Sequence, residues 1–182
     1  MLDTRPVRPD LQTLIHLFYA DGERLGQFTE MTSEQLPATA RSLLAHEKHM
    51  TVTVEAFHHS PVDVEVLETN VTPRHYARKI LLRRQSDGGV VQFGIMRIDL
   101  SVLNEKTRRE IESEKTPLGR VLIQNQVLRE IHLDSLWKIE PGSDLQELFG
   151  ISPAQTVYGR TALIDCNGHP AVELIEIVTP ER

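Results

Sequence analysis

The sequence contains 182 residues, of which 40% are hydrophobic and 25% charged, as is typical of one globular domain with a sizeable core. The formal net charge of −6, from 20 basic and 26 acidic residues, argues against a general nucleic-acid binder, which needs a basic surface. The single cysteine, Cys166, excludes an intramolecular disulfide, and no apolar run reaches the roughly 18 residues of a membrane span. We therefore expect one cytoplasmic domain over residues 1–182.

Helical spacing of apolar residues predicts two helices near the start of the chain. The first covers 9–20, where Asp10 is a suitable N-cap, and the second covers 36–48, with Pro37 in its first turn. The segment 20–33 between them contains two glycines and is predicted to be a loop.

From residue 50 onward the hydrophobic period changes to two, which is typical of strands. Strands are predicted at 50–57, 62–68, 75–84, 90–100, 156–166 and 169–178, with a further extended segment at 126–140. Hairpin turn signals stand at 86–89 and at Asn167-Gly168, and helices are predicted at 100–114 and 143–150. The succession indicates an α+β fold, a largely antiparallel sheet of about six strands with helices packed on one side.

Alternation along the strands places one charge in each of two apolar rows. Arg78 is the one charge in the row formed by Tyr76, Arg78, Ile80 and Leu82, and Glu176 is the one polar residue in its own apolar row. A buried charge is unfavourable unless it is paired, so these two residues either form structural pairs or line a ligand pocket. In a pocket, Arg78 could hold a carboxylate, and Glu176 in an apolar wall could donate a proton to an oxygen.

The stretch Thr116-Pro117-Leu118-Gly119-Arg120 interrupts a helical run. Thr116 can cap a new helix, Pro117 suits its first position, and Gly119 permits a close approach. The stretch therefore predicts a helix start that presents Leu118, and by itself it implies no function.

A series of short motifs runs in order from about residue 36 to the end of the chain. The motifs are Glu47-x-x-Met50-Thr51 with Glu55, Arg78-x-Ile80-Leu81, Gly94, Thr116 to Arg120, Gly159-Arg160, and Glu176-x-x-x-Pro180. In this order they resemble the chorismate pyruvate-lyase family, also called 4-hydroxybenzoate synthases. The resemblance implies one α+β domain around an antiparallel sheet, an enclosed pocket for an aromatic acid, and no cofactor.

The resemblance also implies roles for four residues. Arg78 and Glu176 match the pocket arginine and glutamate, and Met50 and Leu118 match two lid contacts. The implied enzyme is a cofactor-independent carbon–oxygen lyase that eliminates pyruvate from chorismate and leaves 4-hydroxybenzoate. Arg78 would grip the ring carboxylate, and Glu176 would hydrogen-bond the departing ether oxygen. From the residues alone, core packing is the alternative for Met50 and Leu118.

The chain departs from the family pattern at two points. Ile95 stands where better-known members have an arginine, and Arg97 follows two residues later. Glu173 is a rival for the pocket glutamate, although Glu176 keeps the family spacing to Pro180.

A second function fits the same resemblance. The fold is also used by effector-sensing domains of bacterial transcription regulators, so the chain could bind an aromatic acid without converting it. A metal site would need convergence of His46, His49, His58 and His59, which are more typical of a surface. The expected partner is a small molecule, with no metal, no cofactor and no nucleic acid.

Overall fold

Seven strands form one antiparallel sheet in the computed structural model of the chain, which describes residues 8–181. The strands are β1 (Gly26–Met31), β2 (Val62–Val71), β3 (His75–Arg84), β4 (Val90–Asp99), β5 (Arg129–Pro141), β6 (Val157–Cys166) and β7 (His169–Val178). Their order across the sheet is β1-β5-β6-β7-β4-β3-β2, with β1 and β2 at the edges. The predicted α+β fold with an antiparallel sheet is confirmed. Residues 1–7 and 182 of the predicted domain lie outside the described range.

Six α-helices connect these strands within the described residues. They are α1 (Leu11–His16), α2 (Ala38–Leu44), α3 (Met50–His58), α4 (Glu105–Glu112), α5 (Leu118–Gln124) and α6 (Ser143–Phe149). Helices α2 to α5 pack over the face that carries the even-numbered side chains of β3, β4 and β7. The short helices α1 and α6 pack with odd-numbered residues of the same strands, such as Leu81, Phe93 and Ile95. No helix between residues 8 and 181 is both long and apolar enough to cross a membrane.

Several predicted boundaries are present in the structure. Asp10 caps α1, its carboxylate accepting from the backbone N–H of Thr13 at 2.7 Å. Asn167 and Gly168 both have positive φ, at 54° and 82°, and form the tight turn between β6 and β7. The N-cap position of α5 differs from the prediction: Pro117 occupies it, in place of Thr116.

The segment 50–57, predicted to be a strand, is helix α3. Its buried residues are Met50, Thr51 and Val54, which is a helical spacing. Val52 would share a strand face with Val54, yet Val52 is 47% exposed and Val54 is fully buried. Packing on the sheet and on α2 therefore overrides the β propensity of the valines and threonines.

The predicted loop at 20–33 contains strand β1. This strand pairs with β5 from Gly26 opposite Pro141 to Met31 opposite Leu136. It lies at the sheet edge and is mostly exposed, so its hydrophobic alternation is weak. Phe28 packs edge-on against Trp137 of β5, with ring centroids 6.1 Å apart, and this contact is not visible in a local sequence pattern.

Candidate functional site

A small cavity lies between the sheet and the first residues of α3 and α5. Its lining includes Arg78, Gln92, Gly94 and Glu176 from the sheet, with His49 and Leu118 from the helix starts. Its open volume is about 50 Å³, which suffices for a few water molecules. A cavity that holds benzene measures about 150 Å³, so a ring-sized ligand requires the helix starts to move outward.

Arg78 projects from β3 toward the connection between α4 and α5, and its side chain is almost fully buried. Nη1 donates to the Ile111 carbonyl and Nη2 to the Thr116 carbonyl, both over a long 3.4 Å. Nε has no hydrogen-bond partner within residues 8–181. Burial lowers the pKa of Arg78, and nearby Tyr76 and Glu114 partly oppose that shift. The cavity thus contains a buried cation that forms no ion pair with the described part of the chain.

The sequence predicts Glu176 as the one polar group in an apolar wall. In the structure it has a charged partner. Its Oε2 accepts from Arg160 Nε at 2.7 Å, and the exposed fractions of the two side chains are 10% and 1%. Arg160 also donates from Nη1 to the His46 carbonyl at 2.8 Å and from Nη2 to the Lys48 carbonyl at 3.0 Å. Glu176 therefore has a structural partner, which is Arg160 and not Arg78, and it also lines the cavity.

Arg160 also lines the cavity. It belongs to the Gly159-Arg160 motif, but it was not predicted to be a site residue. The signal for it was available, because Arg160 is the one charge on a β6 face shared with Ala162 and Ile164, which are buried. Its carbonyl contacts hold the connection between α2 and α3 and so position the start of α3 over the cavity.

His49 precedes α3 and is 7% exposed. Its Nε2 accepts from Arg129 Nε at 2.7 Å. Burial, followed by the charges of Arg129 and Arg160, lowers the pKa of His49 to about 4. The imidazole is therefore neutral at neutral pH, and with Nε2 as the acceptor its proton resides on Nδ1.

The glycine of the Thr-Pro-Leu-Gly-Arg stretch permits a close approach between two helices. A Cβ on Gly119 would lie 3.2 Å from the His49 side chain, so only glycine lets α5 come this close without displacing the ring. The stretch thus brings the start of α5 against the start of α3, and Leu118 reaches the cavity at that junction.

The two predicted lid residues have different surroundings. Leu118, the first residue of α5, is 9% exposed and lines the cavity. Met50 is 2% exposed and packs in the core with Leu43 and Leu44 of α2. Met50 is not among the cavity-lining residues, whereas its neighbours His49 and Thr51 are. The ligand contact of Met50 therefore stays a prediction, and the structure shows core packing for this residue.

Two other motif residues form a link between elements. Arg120 of α5 forms an ion pair with Glu55 of α3, and Glu55 also accepts from the backbone N–H of Val62 at 2.9 Å. Together these contacts tie α3, α5 and the start of β2 to one another.

Arg97 and Glu173, the two residues left open by the sequence, lie away from the cavity. Arg97 Nη2 and Glu173 Oε2 are 2.6 Å apart on the opposite face of the sheet. Glu173 is thus paired elsewhere, and Glu176 is the glutamate that lines the cavity.

A group of three potential metal ligands lies outside the cavity lining. The ligand atoms of Glu130, His132 and Asp165 lie within 4.8 Å of one another on β5 and β6. None of the histidines singled out in the sequence belongs to this group, and none of the three lines the cavity.

No family model matches the chain, and no curated protein matches its sequence. Solved structures with a similar fold include the effector domain of PhnF from Mycobacterium smegmatis, which is 10% identical over 74% of this chain and 90% of that chain, with a TM-score of 0.56. Full PhnF is 10% identical over 72% of this chain and 64% of that chain, with a TM-score of 0.54. The possible transcriptional regulator YydK from Bacillus subtilis is 12% identical over 65% of this chain and 57% of that chain, with a TM-score of 0.46.

These comparisons bear on the fold. The chain spans less than two thirds of the length of PhnF and of YydK, at 64% and 57%. The likeness to PhnF confirms the predicted chorismate lyase-like fold, which effector domains share. It does not extend to membership of the lyase family.

The prediction that the chain is a carbon–oxygen lyase is wrong. Solved structures that share its fold include PhnF and the effector domain of PhnF, a domain that is an effector domain and not a lyase.

Proposed function

We propose that the chain is a non-catalytic binding domain for a small organic acid, of the effector-sensing kind. The observation that carries this proposal is Arg78, which is 1% exposed, faces the cavity and forms no ion pair within residues 8–181. An unpaired buried charge is unfavourable by several kcal/mol. A ligand carboxylate that accepts from the planar guanidinium would offset this energy, and it could do so through two parallel hydrogen bonds.

The walls of the cavity favour an acid with an apolar, flat body. Ile80, Leu118 and Leu174 supply apolar surface. Gly94 lies in register between Ile80 on β3 and Glu176 on β7, so the floor has no side chain at that point. An aromatic carboxylate fits this combination of a cation, apolar walls and a flat floor.

Binding would open the roof of the cavity at the start of α5. The two hydrogen bonds that hold Arg78 are long, at 3.4 Å, and both acceptors belong to the end of α4 and the connection to α5. A carboxylate would compete with these carbonyls for the guanidinium. We propose that this exchange lets Leu118 move outward and then pack on the ligand.

Three accompanying expectations remain predictions. They are a cytoplasmic location, a single domain over residues 1–182, and a small-molecule partner without metal, cofactor or nucleic acid.

Calorimetric titration with benzoate and with its neutral analogue benzamide tests the proposal. We expect benzoate or a substituted benzoate to bind and to raise the melting temperature, and benzamide to bind at least about tenfold more weakly. Arg78→Gln should remove binding of the acid, whereas Arg97→Gln on the opposite face should retain it. Failure of every acid in an aromatic and aliphatic panel to bind, or equal binding of acid and amide, would contradict the proposal.

A further inference from the structure

A second buried polar group, Gln92, lines the cavity on β4. The residue is 3% exposed, and its Oε1 has no hydrogen-bond partner within residues 8–181. Its register neighbours are Leu82 on β3 and Val178 on β7, which are both buried and apolar. The amide oxygen therefore has no partner on either neighbouring strand, and the residue faces the cavity. A buried amide without a partner is unfavourable and is satisfied in most proteins.

Gln92 and Arg78 lie at opposite ends of one row of the sheet. Met96, Gly94 and Gln92 point to the same face of β4, and Arg78 is the register partner of Met96. The backbone positions of Arg78 and Gln92 are thus separated by four residues along the strand, or roughly 13 Å. Gly94 lies midway on β4 and adds no side chain of its own, and the side chain nearest to this point is that of Ile80.

Glu176 is not available for the role that Gln92 could perform. Its carboxylate is held by Arg160 at 2.7 Å, and a ligand that took it would leave the guanidinium of Arg160 without its counter-charge. Gln92 has no such competing partner among the described residues. An amide can also donate and accept, and its orientation follows the partner that it meets.

On the basis of the proposed function, we infer that Gln92 recognises the end of the ligand that lies remote from its carboxylate. The ligand class is then an organic acid that carries a hydroxyl, amino or carbonyl group at its far end. Arg78 binds the acid group, and Gln92 discriminates between acids that share it. A site built to hydrogen-bond a polar group rejects the analogue that lacks it, because the buried amide is then left unpaired.

Matched pairs of acids test this inference by calorimetry on the full chain. Benzoate is compared with its three hydroxy derivatives, and hexanoate with 6-hydroxyhexanoate. We expect the best hydroxy acid to bind parent protein at least about tenfold more tightly than its unsubstituted match. Leucine has a volume similar to that of glutamine and no polar group. In Gln92→Leu the ratio of the affinity for the hydroxy acid to that for its unsubstituted match should therefore fall to near one, while the affinity for the unsubstituted acid is retained.

The controls separate this inference from the proposed function. Gln85→Leu changes a glutamine that bonds Asp63 outside the cavity, and it should keep the parent ratio. If Gln92→Leu does not fold, as judged by thermal melting, Gln92→Met replaces it. A ratio that is unchanged in the folded variant, or that is near one in the parent, overturns the role of Gln92 and leaves acid binding intact. Absence of binding by every acid overturns the proposed function itself.

Discussion

Arg160 and Glu176 are direct cross-strand neighbours on β6 and β7, with Arg160 Nε and Glu176 Oε2 only 2.7 Å apart. The same guanidinium donates to the carbonyls of His46 and Lys48 and so fixes the chain ahead of α3. Arg78 faces the same cavity and lacks such a partner within residues 8–181. One arginine therefore organises the site, and the other forms no ion pair with the described residues.

Removal of one member of the buried pair should destabilise the fold. We expect Glu176→Leu to lower the free energy of unfolding by roughly 3–5 kcal/mol, because it leaves the charge of Arg160 buried without a counter-charge. The double variant with Arg160→Met should recover most of this loss, because both charges are then absent. Urea denaturation measures the effect, and a Glu176→Leu protein as stable as the parent would contradict this account of the pair.

His49 should make the stability of the protein depend on pH. In the folded protein its pKa is lowered to about 4, first by burial and then by Arg129 and Arg160, whereas in the unfolded chain it is about 6.5. Between these values the unfolded chain binds a proton that the folded chain does not. The free energy of unfolding should therefore decrease as the pH falls from about 6.5 to about 4, by roughly 3 kcal/mol in total.

The variant His49→Gln isolates this contribution. A glutamine can still accept from Arg129 Nε and does not titrate. Burial also lowers the pKa values of His46 and His58, so the parent and the variant must be compared at each pH. Equal pH dependence of the two proteins would exclude His49 as the source.

A side chain on the cavity floor should reduce ligand affinity with little effect on stability. In Gly94→Ala the new Cβ would meet Ile80 at 3.3 Å and the Ile175 carbonyl at 3.4 Å. Gly22→Ala is a matched control, because its Cβ would meet Ile15 at the same 3.3 Å in a turn remote from the cavity. We expect Gly94→Ala alone to lose affinity for the acid, by about tenfold, in calorimetric titration. Equal affinity of the two variants would show that the ligand does not lie over Gly94.

The central strands and their turns could be predicted from the sequence because local patterns determine them. Strand β3 ends at Arg84, just before the hairpin turn predicted at 86–89, and Asn167-Gly168 adopts the positive φ angles that its residue types favour. Arg78 was found for the same reason, since a single charge in an apolar row is visible without a structure.

Elements that depend on distant contacts could not be predicted in this way. Helix α3 has the composition of a strand, and it is helical because Met50 and Val54 pack against α2 and the sheet. Strand β1 is defined by its pairing with β5, which begins about 100 residues later. The lack of an ion pair at Arg78 and the pairing of Glu176 with Arg160 also could not be predicted from the sequence. The alternation of side chains along a strand predicts which face of the sheet a residue lies on, but not which residue it contacts there.

The most direct test of the account is to measure both stability and acid affinity for Arg78→Met. Replacement of a whole buried ion pair by apolar side chains is often neutral or stabilising by roughly 1–4 kcal/mol, and Arg78 likewise has no carboxylate partner within residues 8–181 that its replacement would leave unpaired. Arg97→Met is the matched control, because it leaves Glu173 without the partner that lies 2.6 Å away.

For Arg78→Met we predict an unfolding free energy equal to or above that of the parent, together with loss of affinity for the acid by at least about 30-fold. Arg97→Met should show the reverse, with lower stability and parent affinity. Chorismate mixed with the parent protein should release no pyruvate. Unchanged affinity for the acid in Arg78→Met, or a large loss of stability in that variant, would contradict the claim that Arg78 binds the ligand carboxylate and does not stabilise the fold.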